Sequence, residues 1–519
     1  MYLFNVHLLN VFITSSEIST HIQRQRLGII LKVFSITKKI LSFIMVLLLA
    51  LAAVVALQIQ LPAALSSPEP GLKLSKVELV IPGEPRTTPV SLEVKGQTIT
   101  SVRKAEVDKN DPYAGLFVMP GLIDMHAHWN HLPLPDQNEL FAFLHLYHGV
   151  TTIRTMGDMK PGQSSELRTL ISRGELAGPD IVSCGRMIDG LDPVWDSALV
   201  LEKPEEAEWI VKTLSGRGNS CIKVYDHVKP DVLEALRVAA HKYGMRLVGH
   251  VPHGMNAAEA RLDDAQHLRG FPPAAENPDN YIEGRMQWLN MDEKRRNAFV
   301  KALVEQGGAV TPTLVTIERV IVSKHRETML ADRANELLPH YYRDTLWDSE
   351  EGITAARFMN EARIMAFENV LKEMQATVKA LYEAGVPVHA GTDTMAPGVV
   401  PGASLIREIE LLSDSGLGPE QALAAATTVP AKFLGQPVSF KPGAKASFVI
   451  YRENPGANLA ALNTIEAVVV NGRLYTRAML DEQMDKYQKS YDAFIQKQVV
   501  QPALKFGINA IVKQKLQEQ

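Results

Sequence analysis

Cysteine is almost absent from this chain, with Cys184 and Cys221 the only two in 519 residues. Two thiols build neither a disulfide framework nor a CxxC metal knuckle within one chain, so a bound metal has to be held by histidine and carboxylate. An excess of charge of one sign is lacking as well. Lys plus Arg total 54 against 58 Asp plus Glu, a net charge of −4, and no basic stripe marks a nucleic-acid footprint. With 46% hydrophobic and 22% charged residues, the bulk of the chain is neither disordered nor a multi-span membrane protein. What is present is histidine, 15 residues unevenly spread. The length allows about three domains, or one large α/β barrel with additions.

One long apolar run does occur. Ile40 to Leu57 is uncharged, follows Lys38 and Lys39, and meets no charge until Glu69. That is close to the ~20 residues that span a bilayer. The preceding flank carries Arg24, Arg26, Lys32, Lys38 and Lys39 against Glu17 alone, which places the amino terminus in the cytoplasm and the remainder outside. A buried core helix rarely lacks every polar face, so export to the periplasm or another extracytoplasmic space is the better reading. Ala64-Leu65-Ser66 is a small-x-small sequence open to a signal peptidase. A cleaved signal peptide and a retained transmembrane anchor both stay open. Residues 1–39 read as a cytoplasmic or mis-annotated extension, with the true start shortly before Lys38.

From Leu72 to Met119 short runs alternate apolar and polar residues (KVELVI, VSLEVKG, TITSVRKAEV), and the pattern returns in ASFVIYREN and IEAVVVNGRLYT. Segments 72–119 and 436–478 therefore read as one small β-sandwich assembled from both flanks. Between them, in 120–435, β-rich runs alternate with helical stretches such as NELFAFLHLYHG, EEAEWIVKTLSG and VLEALRVAAHKYG. The expected strands are Leu122–His126, Thr151–Met156, Asp180–Cys184, Cys221–Tyr225, Arg246–Val251, Asp264–Leu268, Ala309–Leu314 and Val386–Thr392. Eight strands alternating with helices specify an α/β class fold, a (β/α)8 TIM barrel. A helix-rich excursion from Gly270 to Glu383 supplies a lid or pocket walls. In the tail, 479–519, Leu480, Met484, Tyr487, Tyr491 and Phe494 form one helical stripe, suited to docking on the body or on a second subunit of a homo-oligomer.

In such a barrel the active site gathers at the carboxyl ends of the strands. His126 and His128 end the first strand, Lys223 lies on the fourth, His250 on the fifth and His267 on the sixth, and Asp393 follows the eighth. Residues two apart in extended chain share a face, so His126 and His128 can ligate one ion. Each residue alone has a bland explanation: a hydrogen-bonded core histidine, or an aspartate capping the next helix. Lys223, in the apolar run CIKVY, is costly to bury as an ammonium unless paired or modified. The joint occurrence at separate strand ends argues against the bland readings.

The sequences VMPGLIDMHAHW, HGVTTIRTMGD, CIKVYDH, LVGHVPH, DAQHL and VPVHAGTDT, in this order, resemble the amidohydrolase superfamily, in particular its imidazolonepropionase-like and Xaa-Pro-dipeptidase-like (prolidase-type) branch. The resemblance spans residues 72 to 478. It implies that His126, His128 and Asp393 hold one divalent ion, that His250 and His267 hold a second, and that Lys223, carboxylated by CO2 or bicarbonate, bridges them. Zinc is the expected metal, although histidine and carboxylate also suit manganese, iron or cobalt. It further implies a hydroxide bridging the ions, with Asp393 as general base and then acid toward the leaving amine. Tyr225 resembles a family tyrosine that contacts substrate, with an aromatic filling the mouth as the alternative. His131 and His253 are further candidates for binding a substrate carboxylate or oxyanion. His148 is expected to pack locally, Arg154 and Asp158 to pair, and His227 and His389 to belong to the scaffold. One departure is PGAKASFVI, where Ser447 stands at the place of the family's usual acidic residue.

The favoured function is an exported metal-dependent hydrolase cleaving the amide bond of a dipeptide or N-acyl amino acid. A mononuclear cyclic-amide hydrolase resembling imidazolonepropionase is the second reading, and a non-catalytic scaffold the third.

Overall fold

The computed structural model describes residues 61–85, 88–106, 108–130, 137–270, 281–394, 396–492 and 500–507, besides 38, 45 and 46. The extension 1–39 and the apolar run 40–57 lie almost wholly outside the described residues, as do His131 and Phe494. Among the described residues no helix is long and apolar enough to cross a membrane.

Strands β1 (Gly71–Leu79), β2 (Val90–Lys95), β3 (Thr98–Lys104) and β4 (Phe117–Pro120) open the fold. The central strands are β5 (Leu122–Ala127), β6 (Val150–Thr155), β7 (Asp180–Ser183), β8 (Ile188–Asp189), β9 (Leu199–Val200), β10 (Cys221–Val224), β11 (Arg246–Gly249), β12 (Asp264–Gln266) and β13 (Ala309–Thr311). Three more, β14 (Phe448–Tyr451), β15 (Ile465–Val470) and β16 (Arg473–Thr476), return to the first group.

The expected sandwich takes the form of one seven-stranded sheet, ordered β16-β15-β14-β4-β1-β2-β3. β1 serves both halves: Gly71 to Val77 pair antiparallel with β2, and Glu78 and Leu79 pair parallel with β4. Within the pairing with β2 a bulge falls between Leu74 and Val77, with Lys76 at φ 48°, the device by which a strand is bent and re-aimed. Leu74, Leu92, Ile99, Val118, Ile450 and Val469, drawn from both ends of the chain, pack into a single buried cluster. Each such side chain removed from water stabilises the unit by roughly 1.5–3 kcal/mol.

The central strands are parallel and form two sheets, β5-β6-β7 and β13-β12-β11-β10-β8-β9. Every residue of β5, β6 and β10 is buried, as strands covered on both faces require. Ser220 N donates to Ser183 O at 2.9 Å and joins the two sheets at one side. At the other, Val310 N donates to Pro387 O (3.0 Å), His389 N to Val310 O (2.9 Å) and Met125 N to Ala390 O (3.0 Å). The eighth expected strand, Val386–Thr392, is thus an extended segment with a single bridge, Val310–Val388. Two other strands are shorter than expected for a local reason. His267 and Leu268 have φ 58° and 51°, which ends β12 at Gln266. Pro312 lacks an N–H and Thr313 has φ 51°, which ends β13 at Thr311 and starts the helix Leu314–Lys324. The short pair β8 and β9 has no counterpart in the expected list.

The two cysteines, read from sequence only as an exclusion, form a disulfide. Cys184 follows β7 and Cys221 begins β10, so the bridge ties neighbouring strands through a buried cluster with Met156 and Val248. In the excursion, the helices Glu293–Gln306, Leu314–Lys324 and Glu361–Glu383 are the main described elements. The tail helix Arg477–Tyr491 is capped by Thr476, whose side chain accepts from Met479 N. It buries Leu480, Met484, Tyr487 and Tyr491 against the same chain. Tyr487 packs on Phe143 with ring centroids 5.3 Å apart, and the Tyr491 hydroxyl donates to Leu337 O at 2.9 Å.

Candidate active site

The carboxyl ends of β5, β11 and β12 and the segment after residue 392 converge on one point. His126 Nε2 and His128 Nε2 lie 3.1 Å apart, and Asp393 Oδ1 lies 3.3 and 3.4 Å from them. Asp393 Oδ2 is 3.9 Å from His267 Nε2. The rings continue as a row: His126 to His267 at 4.6 Å between centroids, His267 to His250 at 5.0 Å, and His250 to Tyr225 at 4.1 Å. Ligand atoms of His126, His267 and Asp393 all fall within 4.8 Å of one another. That trio crosses the two ligand sets expected from sequence, which placed His267 with the other ion.

Each of the four histidines is held through the same nitrogen. Nδ1 of His126 meets Gln266 Oε1 at 2.7 Å, Nδ1 of His128 meets Gly157 O at 3.4 Å, Nδ1 of His250 meets Asp226 Oδ1 at 2.6 Å, and Nδ1 of His267 meets Thr313 Oγ1 at 2.7 Å. Partners of this kind fix the ring and the tautomer and leave Nε2 for a metal. Burial holds His250 down to about 3 and pushes His126 and His267 well below the ordinary histidine value. Neutral imidazole is the form that ligates. Burial also acts to raise the Asp393 carboxyl, but His126, His128 and Lys223 hold it below its usual range and keep it anionic.

Lys223 is 1% exposed, and its Nζ has no hydrogen-bond partner. Burial brings its amine down to about 7. A buried amine with no hydrogen-bond partner is costly, and this one sits on β10 beside β11, the strand that leads into His250. The donor set of four histidines, an anionic aspartate and this amine fits a pair of divalent ions.

The backbone at these positions is unusual. His267 and Asp393 both have positive φ, 58° and 57°, as does Thr313 at 51°. Such conformations persist only where the surroundings enforce them. Asp393 N donates to His126 O at 2.7 Å, and Asp124 accepts from His126 N, Thr392 N and Thr392 Oγ1, so the first strand and the segment 392–394 are fastened together. Burial raises the Asp124 carboxyl to about 7.

Tyr225 lies beside His250, and its hydroxyl accepts from Trp195 Nε1 at 3.0 Å. His253 Nε2 is 3.5 Å from Asp226 Oδ2. His148 does pack locally, its Nδ1 donating to Leu144 O at 2.9 Å. His389 pairs with Asp264 Oδ2 at 3.2 Å, and His227 Nδ1 donates to Asp192 O at 2.8 Å. The expected Arg154–Asp158 pair is not formed. Arg154 reaches across the interior to Asp264 and donates Nε to Met125 O, while Asp158 accepts from Ser164. Arg154 on β6 and Asp264 on β12 belong to different sheets, so nearness in sequence misleads there.

Sequence reading passed over Asp226, Gln266, Thr313, Asp124 and Trp195. Only Asp226 carried a signal, an acid three residues beyond Lys223 in CIKVYDH. The others become visible only through contacts made across the fold.

Comparison with known proteins gives these features a context. An uncharacterized protein of Mycobacterium tuberculosis is 23% identical over 427 residues, covering 75% of this chain and 97% of its own. Among solved structures, bottromycin amidohydrolase superposes with a TM-score of 0.65 at 24% identity, covering 85% of this chain and 94% of that one. A Xaa-Pro dipeptidase with bound methionine in its active site gives 0.56 at 21%, with 78% and 98% covered. These likenesses show a shared fold. The model of the amidohydrolase family matches residues 117–475, a span that runs from β4 through every candidate ligand to β16, and the chain belongs to that family.

Proposed function

We propose that the chain is a metal-dependent hydrolase that cleaves the amide bond of a dipeptide or N-acyl amino acid, on a closed (β/α)8 barrel whose eighth member is the segment 386–392. The observation that carries this reading is the uniform anchoring of His126, His128, His250 and His267 through Nδ1, facing the unpartnered Lys223 Nζ. The family and the dipeptidase-like neighbour support the choice of a carbon–nitrogen bond.

His126, His128, His267, His250 and Asp393 would hold two divalent ions, zinc being the first candidate. Lys223 would join them as a carbamate, its neutral amine forming an N–C bond to carbon dioxide and releasing one proton. Ions held there supply Lewis acidity toward a carbonyl and water that ionises near neutral pH. Asp393 accepts a proton from the attacking water and passes it to the leaving amine. Tyr225 donates a hydrogen bond to a substrate oxygen, and His253 binds substrate carboxylate, with His131 a further candidate for that role from sequence.

Export across a membrane belongs to the same proposal. The apolar run 40–57 supports it, and so does the Cys184–Cys221 disulfide, a bond that persists in oxidising compartments. Metal-replete full-length protein is to be screened against dipeptides and N-acyl amino acids, with metal content measured in the same samples. Hydrolysis with two equivalents of metal is expected. Activity confined to lactones or phosphate esters sinks the amide assignment, and one equivalent in fully active protein sinks the binuclear one.

A further inference from the structure

The candidate ligands are divided between two sheets that share no strand. His126 ends β5 and His128 follows it, in the sheet β5-β6-β7, and Asp393 is fastened to them by its backbone N–H, which donates to His126 O at 2.7 Å. Lys223 lies on β10, and His250 and His267 directly follow β11 and β12, all in the other central sheet. The contacts that assemble the site therefore cross a seam: 3.9 Å from Asp393 Oδ2 to His267 Nε2, and 4.6 Å between the rings of His126 and His267. A ligand set works only when its members are held to within about 0.5 Å. The spacing of the two sheets is thus a property of the site.

The two sides of the seam are closed differently. On one side the segment 386–392 bonds to both sheets, through Val310 and Met125. On the other, among the described residues, the backbones of β7 and β10 are joined by one hydrogen bond, Ser220 N to Ser183 O at 2.9 Å. The residue after each of these partners is a cysteine, and Cys184 is bonded to Cys221. A covalent link stands where the ladder is missing. Cys221 precedes Lys223 by two residues, and residues two apart in a strand share a face. Both are nearly inaccessible, at 2% and 1%. β10 pairs with β11 at all four of its positions, so a shift of Cys221 carries Lys223 with it and reaches His250 through β11. Met156 and Val248 pack around the bridge in one buried cluster. Interiors are close-packed, and two unbonded thiols need more room than a disulfide. That room comes from the strand pair with the least backbone holding it, β7 and β10.

We propose that the Cys184–Cys221 disulfide is a redox latch on the metal centre. It sets the spacing between the sheet of His126 and His128 and the sheet of Lys223, His250 and His267, so that the oxidised chain holds its ions and the reduced chain does not. Both cysteines are positioning residues, acting through the seam and Lys223. Closing the latch passes two electrons and two protons from the cysteine pair to a disulfide donor: one thiolate attacks the donor, the second displaces the donor's sulfur, and the donor leaves as two thiols. Both sulfurs are buried in the finished fold, so the latch is set as the chain folds. A chain folded where thiols stay reduced keeps the site unloaded, and loading follows transfer to an oxidising compartment. This rests on the two-metal reading of the site.

The test uses full-length wild type refolded either with a small-molecule disulfide or with a phosphine that keeps the thiols reduced, and the double variant Cys184→Ala/Cys221→Ala. Circular dichroism checks each fold and thiol titration the state of the bridge. Equilibrium dialysis against zinc, with elemental analysis, gives the number of ions bound and their affinity. Oxidised wild type should bind two. Reduced wild type and the alanine pair should bind at least one fewer or hold it roughly tenfold more weakly, as when the support of a ligating side chain is lost. Refolding the reduced protein with the disulfide should restore both. A bridge that only stabilises the chain lowers the denaturation midpoint alone, so a reduced, folded protein with two ions at unchanged affinity overturns the inference. Failure of both the reduced wild type and the alanine pair to fold also overturns it, since the bridge then supports the whole chain. One zinc in the oxidised protein, lost on reduction, refutes the two-metal reading and upholds the latch, because the trio of His126, His267 and Asp393 spans the same seam. One zinc retained on reduction overturns both.

Discussion

Asp226 Oδ1 accepts at 2.6 Å from His250 Nδ1 and at 2.7 Å from Arg269, so one buried carboxylate orients the imidazole of a proposed metal ligand and holds a guanidinium beside it. Removing it as Asp226→Ala leaves both partners without an acceptor. Metal affinity is expected to fall about 10–100-fold, as for other partners of ligating histidines. Competition titration with a chromogenic chelator measures it, and an unchanged affinity removes Asp226 from the support of the site.

Lys223→Ala deletes the amine that would bridge the ions. The protein should lose about one equivalent of metal and nearly all turnover, with partial rescue by a short-chain carboxylic acid that fits the gap. Elemental analysis alongside rates decides it; full activity at full stoichiometry rules out the bridge.

Asp393→Asn preserves shape and hydrogen-bonding reach but cannot take a proton. Turnover should drop by two or more orders of magnitude, in the range seen for a positioned acid–base group, while much of the metal is retained. Near-normal kcat in the Asn variant would refute the proton-transfer role.

Glu408 is fully buried and accepts from Leu314 N and Val315 N, the first amides of the helix that follows Thr313, the residue bonded to His267. Burial raises its carboxyl from 4.5 to about 8. A carboxyl whose folded value lies above its unfolded one contributes most below the unfolded value, and that contribution is lost as pH rises through the folded value. Relative to Glu408→Gln, the wild type should therefore lose stability between about pH 4.5 and pH 8. Denaturant unfolding of both proteins across that window tests this; a pH-independent difference would contradict it.

Replacing both cysteines with alanine should cost about 2–4 kcal/mol of stability. Native wild type should expose no reactive thiol until it is reduced and unfolded. Labelling of Cys184 or Cys221 in untreated native protein would show that the bridge does not form in solution.

The convergence of His126, His128, His267 and Asp393 was legible in the sequence because these residues follow apolar runs, and the α/β alternation because those runs alternate with helical periodicity. Boundaries were legible only where local chemistry decides them. Pro312 marks the end of β13, but nothing in DAQHL announces that His267 leaves β12 at positive φ. The partners of the ligands were not legible. Gln266 precedes His267 yet serves His126 from another sheet, and Thr313, 46 residues from His267, reaches it only because β12 and β13 pair side by side. The Arg154–Asp158 expectation failed for the same reason, since Asp264 is the nearer carboxylate in space and the farther in sequence.

The seven-stranded sheet has a consequence for how the chain comes to be made. β4 pairs on one side with β1 and on the other with β14, so that Val118 waits for Ile450. At ordinary rates of synthesis the intervening segment takes on the order of tens of seconds to emerge. Throughout that time β4 has an unfilled, apolar edge, and the nascent amino-terminal half is a template for pairing with other chains. A chain held unfolded until it is complete avoids that hazard. Translation stalled before residue 448 should therefore yield aggregates, whereas the finished polypeptide can close the sheet upon itself.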